Sequence, residues 1–101
     1  MQTISLTQEK EQTVTVTLSG QQCKIRLVQR DSGIYMDLTV GDTVLFQGVP
    51  CWYGNKMVRY SYLGFSGDLV FMDNQGQSDP SWDGLGTRYP LYYLEESELV
   101  Q

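Results

Sequence analysis

Histidine and alanine are missing from this chain altogether, and it has only two cysteines, three prolines and seven basic residues. Each shortage excludes something. Without histidine there is no Ser–His–Asp triad, no Cys–His nucleophile pair and none of the zinc sites built on two or three imidazoles. Twelve acidic residues against seven basic ones leave a formal charge of −5 and a pI near 4.4. That is the wrong sign for non-specific binding to DNA, RNA or an anionic membrane surface. No stretch approaches the ~18–20 consecutive apolar residues of a membrane-crossing helix. The opening Met1-Gln2-Thr3-Ile4-Ser5-Leu6 has neither the basic nor the long apolar region of a secretory signal. Missing alanine removes the best helix former, while many Thr, Val and Tyr shift the balance toward strands. An enzyme is a poor first reading.

What is present suits one globular domain. With 101 residues, 41% of them hydrophobic and 19% charged, the chain can build a single modest core. Cys23 and Cys51 have no Cys-x-x-Cys spacing. With no sign of secretion they read as two reduced, buried thiols, a disulfide being the alternative.

Period-two alternation organises the first half. Thr13-Val14-Thr15-Val16-Thr17-Leu18 places threonines on one face, and Cys23-Lys24-Ile25-Arg26-Leu27 alternates in the same way. A two-residue Ser19-Gly20 turn sets Val16 opposite Cys23. A four-residue loop over 19–22 sets Leu18 there instead, and both registers keep apolar opposite apolar. Arg30-Asp31-Ser32-Gly33 is a turn, and Ile34–Val40 is a third strand. Gly41-Asp42 fits a type II′ turn, which pairs Val40 with Thr43, Thr39 with Val44, Leu38 with Leu45 and Asp37 with Phe46. A four-stranded meander is expected by residue 48. Residues 48–55, interrupted by Pro50 and two glycines, read as a connection or an irregular edge. Residues 56–60 suggest a short strand ending near 62–65, Asp68–Asp73 a buried one, and Thr87–Leu94 a last one. Residues 1–94 form one β domain in this reading, and 95–101 an acidic tail with room for at most a helical turn. The fold class is all-β, a small antiparallel barrel or sandwich of about seven or eight strands.

The loop from Asp73 to Gly86 is the odd feature. Fixing about 14 residues costs on the order of 14–28 kcal/mol of backbone entropy, while burying Trp82 and Leu85 returns only a few kcal/mol. Such a loop must be held by its own turns, by the body of the domain or by a partner. Asp73, Asp79 and Asp83 raise the question of calcium, but the EF-hand spacing is absent, and aspartates at turns are the ordinary explanation. Carboxylate-pair glycosidase chemistry needs a separation that sequence distance does not define. Gly84-Leu85-Gly86 carries no lysine and no strand–helix context, so it is a turn and not a phosphate loop. No cofactor is implied. Trp52, Trp82, Tyr60, Tyr62, Tyr89, Tyr92 and Tyr93 could pack a core or an interface, or line a sugar-binding face.

One set of segments resembles a known family. Gly67-Asp68-Leu69-Val70-Phe71, Asp79-Pro80, Gly84-Leu85-Gly86-Thr87-Arg88-Tyr89 and the closing Leu91-Tyr92-Tyr93-Leu94 occur in this order within the stretch 62–94, which is about a third of the chain. The pattern is similar to the small baseplate plug family of contractile-tailed phages. Residues 48–60 do not contribute to it. The resemblance implies a virion structural protein of the tail baseplate, made in the host cytoplasm, assembling without catalysis with hub, tube or spike proteins. A homo-oligomer or symmetric ring is expected with it, and neither nucleic acid nor membrane as partner. On this view Asp79, Pro80, Trp82, Asp83, Gly84, Leu85, Gly86, Arg88 and Tyr89 form an interface, the other reading being that the same residues pack within the chain and plug the end of the β domain. The two glycines would allow close approach, Trp82 and Tyr89 anchor, and Arg88 fork onto a carboxylate. The alternative is a carbohydrate-binding module using exposed Trp and Tyr residues.

Overall fold

Strict Thr/Val alternation, once paired with a second alternating segment, generates the first long hairpin of a sandwich. The computed structural model describes residues 2–58 and 65–95. The described residues form seven strands: β1 (Gln2–Ile4), β2 (Glu11–Leu18), β3 (Gln21–Arg30), β4 (Gly33–Val40), β5 (Thr43–Pro50), β6 (Asp68–Phe71) and β7 (Leu91–Leu94). They make two antiparallel sheets, a four-stranded meander in the order β2-β3-β4-β5 and a three-stranded sheet in the order β1-β7-β6. The fold is all-β and a single domain, as the alternation indicates.

The two-residue register of the first hairpin is the one adopted, with Val16 opposite Cys23 and Val14 opposite Ile25. Ser19 (φ 49°) and Gly20 (φ 77°) both take positive φ, the type I′ geometry whose twist matches the flanking strands. The next turn is equally short, pairing Arg30 with Gly33.

The β4–β5 hairpin departs from expectation. Val40 faces Thr43 and Thr39 faces Val44, as a type II′ turn at Gly41 dictates, but Leu38 then faces Phe46, not Leu45. A second shift places Met36 opposite Val49, so the pairing of Asp37 with Phe46 does not occur. The cause lies in the edge position of β5. The Asp37 carboxylate accepts the Gly48 N–H at 2.7 Å, holding the strand in a bulge where a regular ladder would place a backbone carbonyl. Pro50, which has no N–H to donate, closes this edge strand.

The core lies between the sheets. Ile25, Leu27, Met36 and Leu38 of the larger sheet meet Leu69, Phe71, Leu91 and Tyr93 of the smaller one, all at most 1% exposed. Each buried aliphatic or aromatic side chain contributes roughly 1.5–3 kcal/mol relative to exposure. Three strands cannot cover four completely, and Val14, Val16, Leu45 and Phe46 on the two edge strands stay half-buried. β6 is buried along its whole length. Beside it, Lys56 bridges Val70, and the Asp68 carboxylate accepts the N–H groups of Val58 and Leu69, each at 2.7 Å. The rest of the strand expected over 56–60, the stretch 62–64, and the tail beyond Glu95 lie outside the described residues.

The last strand starts later than its sequence suggests. Thr87–Pro90 form a turn and an isolated bridge, and β7 begins only at Leu91. Pro90 lacks the donor a ladder needs, while the carbonyl of Arg88 and that of Pro90 accept the N–H groups of Asn74 and Met72. Among the described residues the one helical element is a single 3-10 turn, Trp82–Gly84, inside the long loop.

Candidate functional site

The 73–89 segment is a folded piece of the domain, fastened at four places. Its root is Asp73, at the end of β6, whose side chain is fully enclosed. One carboxylate oxygen accepts Arg88 Nε at 2.8 Å and the Gln75 N–H at 2.8 Å. The other accepts Arg88 Nη2 at 3.0 Å and the Ser78 N–H at 2.9 Å. A fork–fork ion pair thus closes the neck of the loop while the same carboxylate caps the turn that follows. The Arg88 guanidinium holds the Asp73 carboxyl far below its ordinary range, against the opposing effect of burial, and two backbone N–H groups add to it. The pair correspondingly raises the pKa of Arg88.

Further along, Asp79 Oδ1 accepts the Tyr53 N–H at 2.9 Å, tying the loop to the segment after β5. The Trp82 N–H donates to Gln29 Oε1 at 3.0 Å, tying it to β3. Lys10 Nζ stands 5.4 Å from the Trp82 ring centroid, within range of a cation–π contact. Finally the chain returns through Gly84-Leu85-Gly86. Leu85 (1% exposed) and Tyr89 (6%) enter the core. A Cβ on Gly84 would stand 2.6 Å from the Tyr89 ring, and one on Gly86, at φ 79°, would stand 2.5 Å from the Leu6 carbonyl oxygen. Both glycines therefore permit close approach within the chain itself.

The nine residues singled out from the sequence do come together, but they divide. Pro80, Gly84, Leu85 and Tyr89 are buried by their own chain. Arg88 is committed to Asp73 and stacks over Tyr89, its carbon 5.0 Å from the ring centroid. Asp79, Asp83 and Gly86 are exposed and Trp82 half-buried, and these four form the outer rim. Sequence reading assigned Asp73 to a turn but missed its pairing with Arg88. The Asp73-Asn74-Gln75 step, with its carboxylate on the N–H two residues on, is the one local sign that could have exposed it.

The rest of the aromatic set is dispersed. Tyr89 and Tyr93 are core residues, Tyr92 is half-buried, and Tyr60 and Tyr62 lie outside the described residues. Trp52 is 49% exposed, next to the Tyr53 that Asp79 binds. Both cysteines are free and buried. Burial raises the Cys23 thiol pKa and pushes that of Cys51 up to about 12. Among the described residues no group of three or more Cys, Asp or Glu side chains is placed to hold a metal ion.

A second polar constellation crosses the outer face of the larger sheet. Arg26 on β3 reaches Glu11 on β2 at 2.8 Å and Asp37 on β4 at 3.2 Å, so one guanidinium ties three strands.

These features describe a class: a small all-β sandwich whose longest loop is sealed onto its own body and presents a short acidic and aromatic rim. The chain belongs to the cyanophage baseplate plug family, since the family model described as "Cyanophage baseplate Pam3 plug gp18" matches residues 1–96. No curated protein matches the chain. Family membership gives it a structural role in a phage baseplate and a place in the virion tail, in contact with other baseplate components.

Proposed function

We propose that the chain is a plug-like component at the central axis of the tail, where it binds hub, tube or spike proteins and performs no catalysis. One observation carries this reading. The loop rim of Asp79, Trp82, Asp83 and Gly86 faces outward while the same loop is anchored from within by Asp73, Gln29 and Tyr53. A rim held this way offers a partner an ordered surface and spares the entropy cost of fixing a loop on binding. Trp82 is the aromatic anchor, and the two exposed carboxylates fit a basic partner. Two buried free thiols suit synthesis in the reducing host cytoplasm.

The test is assembly. Trp82→Ala and Asp83→Lys are expected to keep the wild-type circular dichroism and to reduce incorporation into tail particles, read by mass spectrometry of purified particles. Wild-type incorporation by both folded variants would remove the rim as the interface. A carbohydrate-binding reading rests on the exposed Trp52 alone. Quenching of tryptophan fluorescence by a glycan would support it, and a flat response across a glycan array would eliminate it.

A further inference from the structure

The two edges of the larger sheet are built differently. β5 carries two register shifts, a glycine at positive φ and a terminal proline, all devices that stop a sheet from adding strands. β2 has none of these. It runs eight residues, Glu11–Leu18, in unbroken register with β3, and contains no lysine, proline or glycine. Among the described residues no strand pairs with its outer side.

Its hydrogen-bonding parity is set by the hairpin. The Gln29 N–H donates to the Lys10 carbonyl at 2.7 Å, and antiparallel ladders bond every second pair. Gln12, Val14, Val16 and Leu18 therefore turn their backbone groups toward β3. Glu11, Thr13, Thr15 and Thr17 turn theirs outward. We infer that β2 pairs antiparallel with β2 of a second copy of this chain, about a twofold axis at Thr15, joining two four-stranded sheets into one of eight.

The occupant follows from self-complementarity. Pairing about Thr15 sets Thr13 opposite Thr17 of the second copy and Val14 opposite its Val16. Glu11 faces Ser19, so no like charges meet. Val14 and Val16, only half-buried under the three-stranded sheet, gain apolar neighbours across the junction. A one-residue slip would set valine against threonine on both faces. The pairing needs no other baseplate protein and is independent of the rim formed by Trp82 and its neighbours.

Purified wild type is expected to sediment at twice the chain mass. Thr15→Glu places two carboxylates face to face across the axis but opposite Lys24 within its own chain, so it should give a folded single-mass species. A cysteine probe fixes the register. Residues directly opposed in such a ladder have Cα atoms about 5.5 Å apart, within disulfide range. Thr15→Cys is therefore expected to form a covalent dimer on mild oxidation. Thr13→Cys, whose counterpart lies four residues along the strand, is not, and the native cysteines are buried and do not compete. A wild type at single-chain mass across concentrations up to about 1 mM overturns the inference. So does equal cross-linking at positions 13 and 15, or a Thr15→Glu defect seen only in whole tail particles, which would assign the edge to another protein's strand.

Discussion

Arg88 is expected from the sequence to fork onto a carboxylate, and that carboxylate is Asp73 of the same chain. This decides what its removal does. Arg88→Ala leaves an enclosed carboxylate with two backbone donors and no counter-charge, so the variant is expected to lose thermal stability and to release the loop, not merely to weaken assembly. Arg88→Lys keeps the charge but loses the fork and should fall between. Hydrogen exchange at the Gln75 and Ser78 amides checks the order, which fails if alanine and lysine behave alike. The same pair fixes a pH dependence. Its folded-state pKa is depressed, so Asp73 binds protons more weakly folded than unfolded. The stabilisation is complete above the ordinary carboxylate value of 3.8 and is lost as pH falls below it. Acid should thus loosen the loop progressively from pH ~4 downward, followed by tryptophan emission, and Asp73→Asn should remove that dependence. An unchanged titration in Asp73→Asn would place the acid response elsewhere.

Elements became legible wherever one rule governed them. Thr13–Leu18 and Cys23–Leu27 alternate so cleanly that only two registers remain, and the positive φ of Ser19 and Gly20 selects between them. The β5 register was not legible, because it depends on Asp37 reaching the Gly48 N–H, a contact between a side chain on one strand and the backbone of the next. β7 was overextended for a similar reason: Thr87–Pro90 looks like strand but spends its carbonyls on Asn74 and Met72. The loop shows the same limit. Its turn residues announce themselves, but Gln29, Tyr53 and Leu6, which receive it, are remote in sequence. Here Gly84 gives the sharpest prediction. A methyl group added there meets the Tyr89 ring, so Gly84→Ala should cost about 1–3 kcal/mol in denaturant unfolding. Because the clash is with that ring, Gly84→Ala combined with Tyr89→Leu should cost less than the sum of the two singles. Strict additivity would mean that the glycine serves another purpose.

At the scale of the molecule, the sandwich is closed by very few layers: three strands over four, with the loop sealing one end. Cooperative unfolding follows, because Leu27, Met36, Phe71 and Tyr93 share one core and no sheet retains a buried face alone. The two thiols report on this directly. Cys23 sits in the middle of the larger sheet on β3, and Cys51 lies just after β5. Burial pushes the Cys51 thiol up to about 12, so it stays protonated at pH 8, and burial shields both sulfurs from reagents. Labelling at pH 8 should therefore run through unfolding. Both cysteines should react at one common rate in the native protein, and Phe71→Ala, at a cost of about 3–5 kcal/mol, should accelerate both by the same factor. If Cys51 reacts first while Cys23 stays protected, the β5 edge opens as a separate unit and the sandwich does not unfold as one.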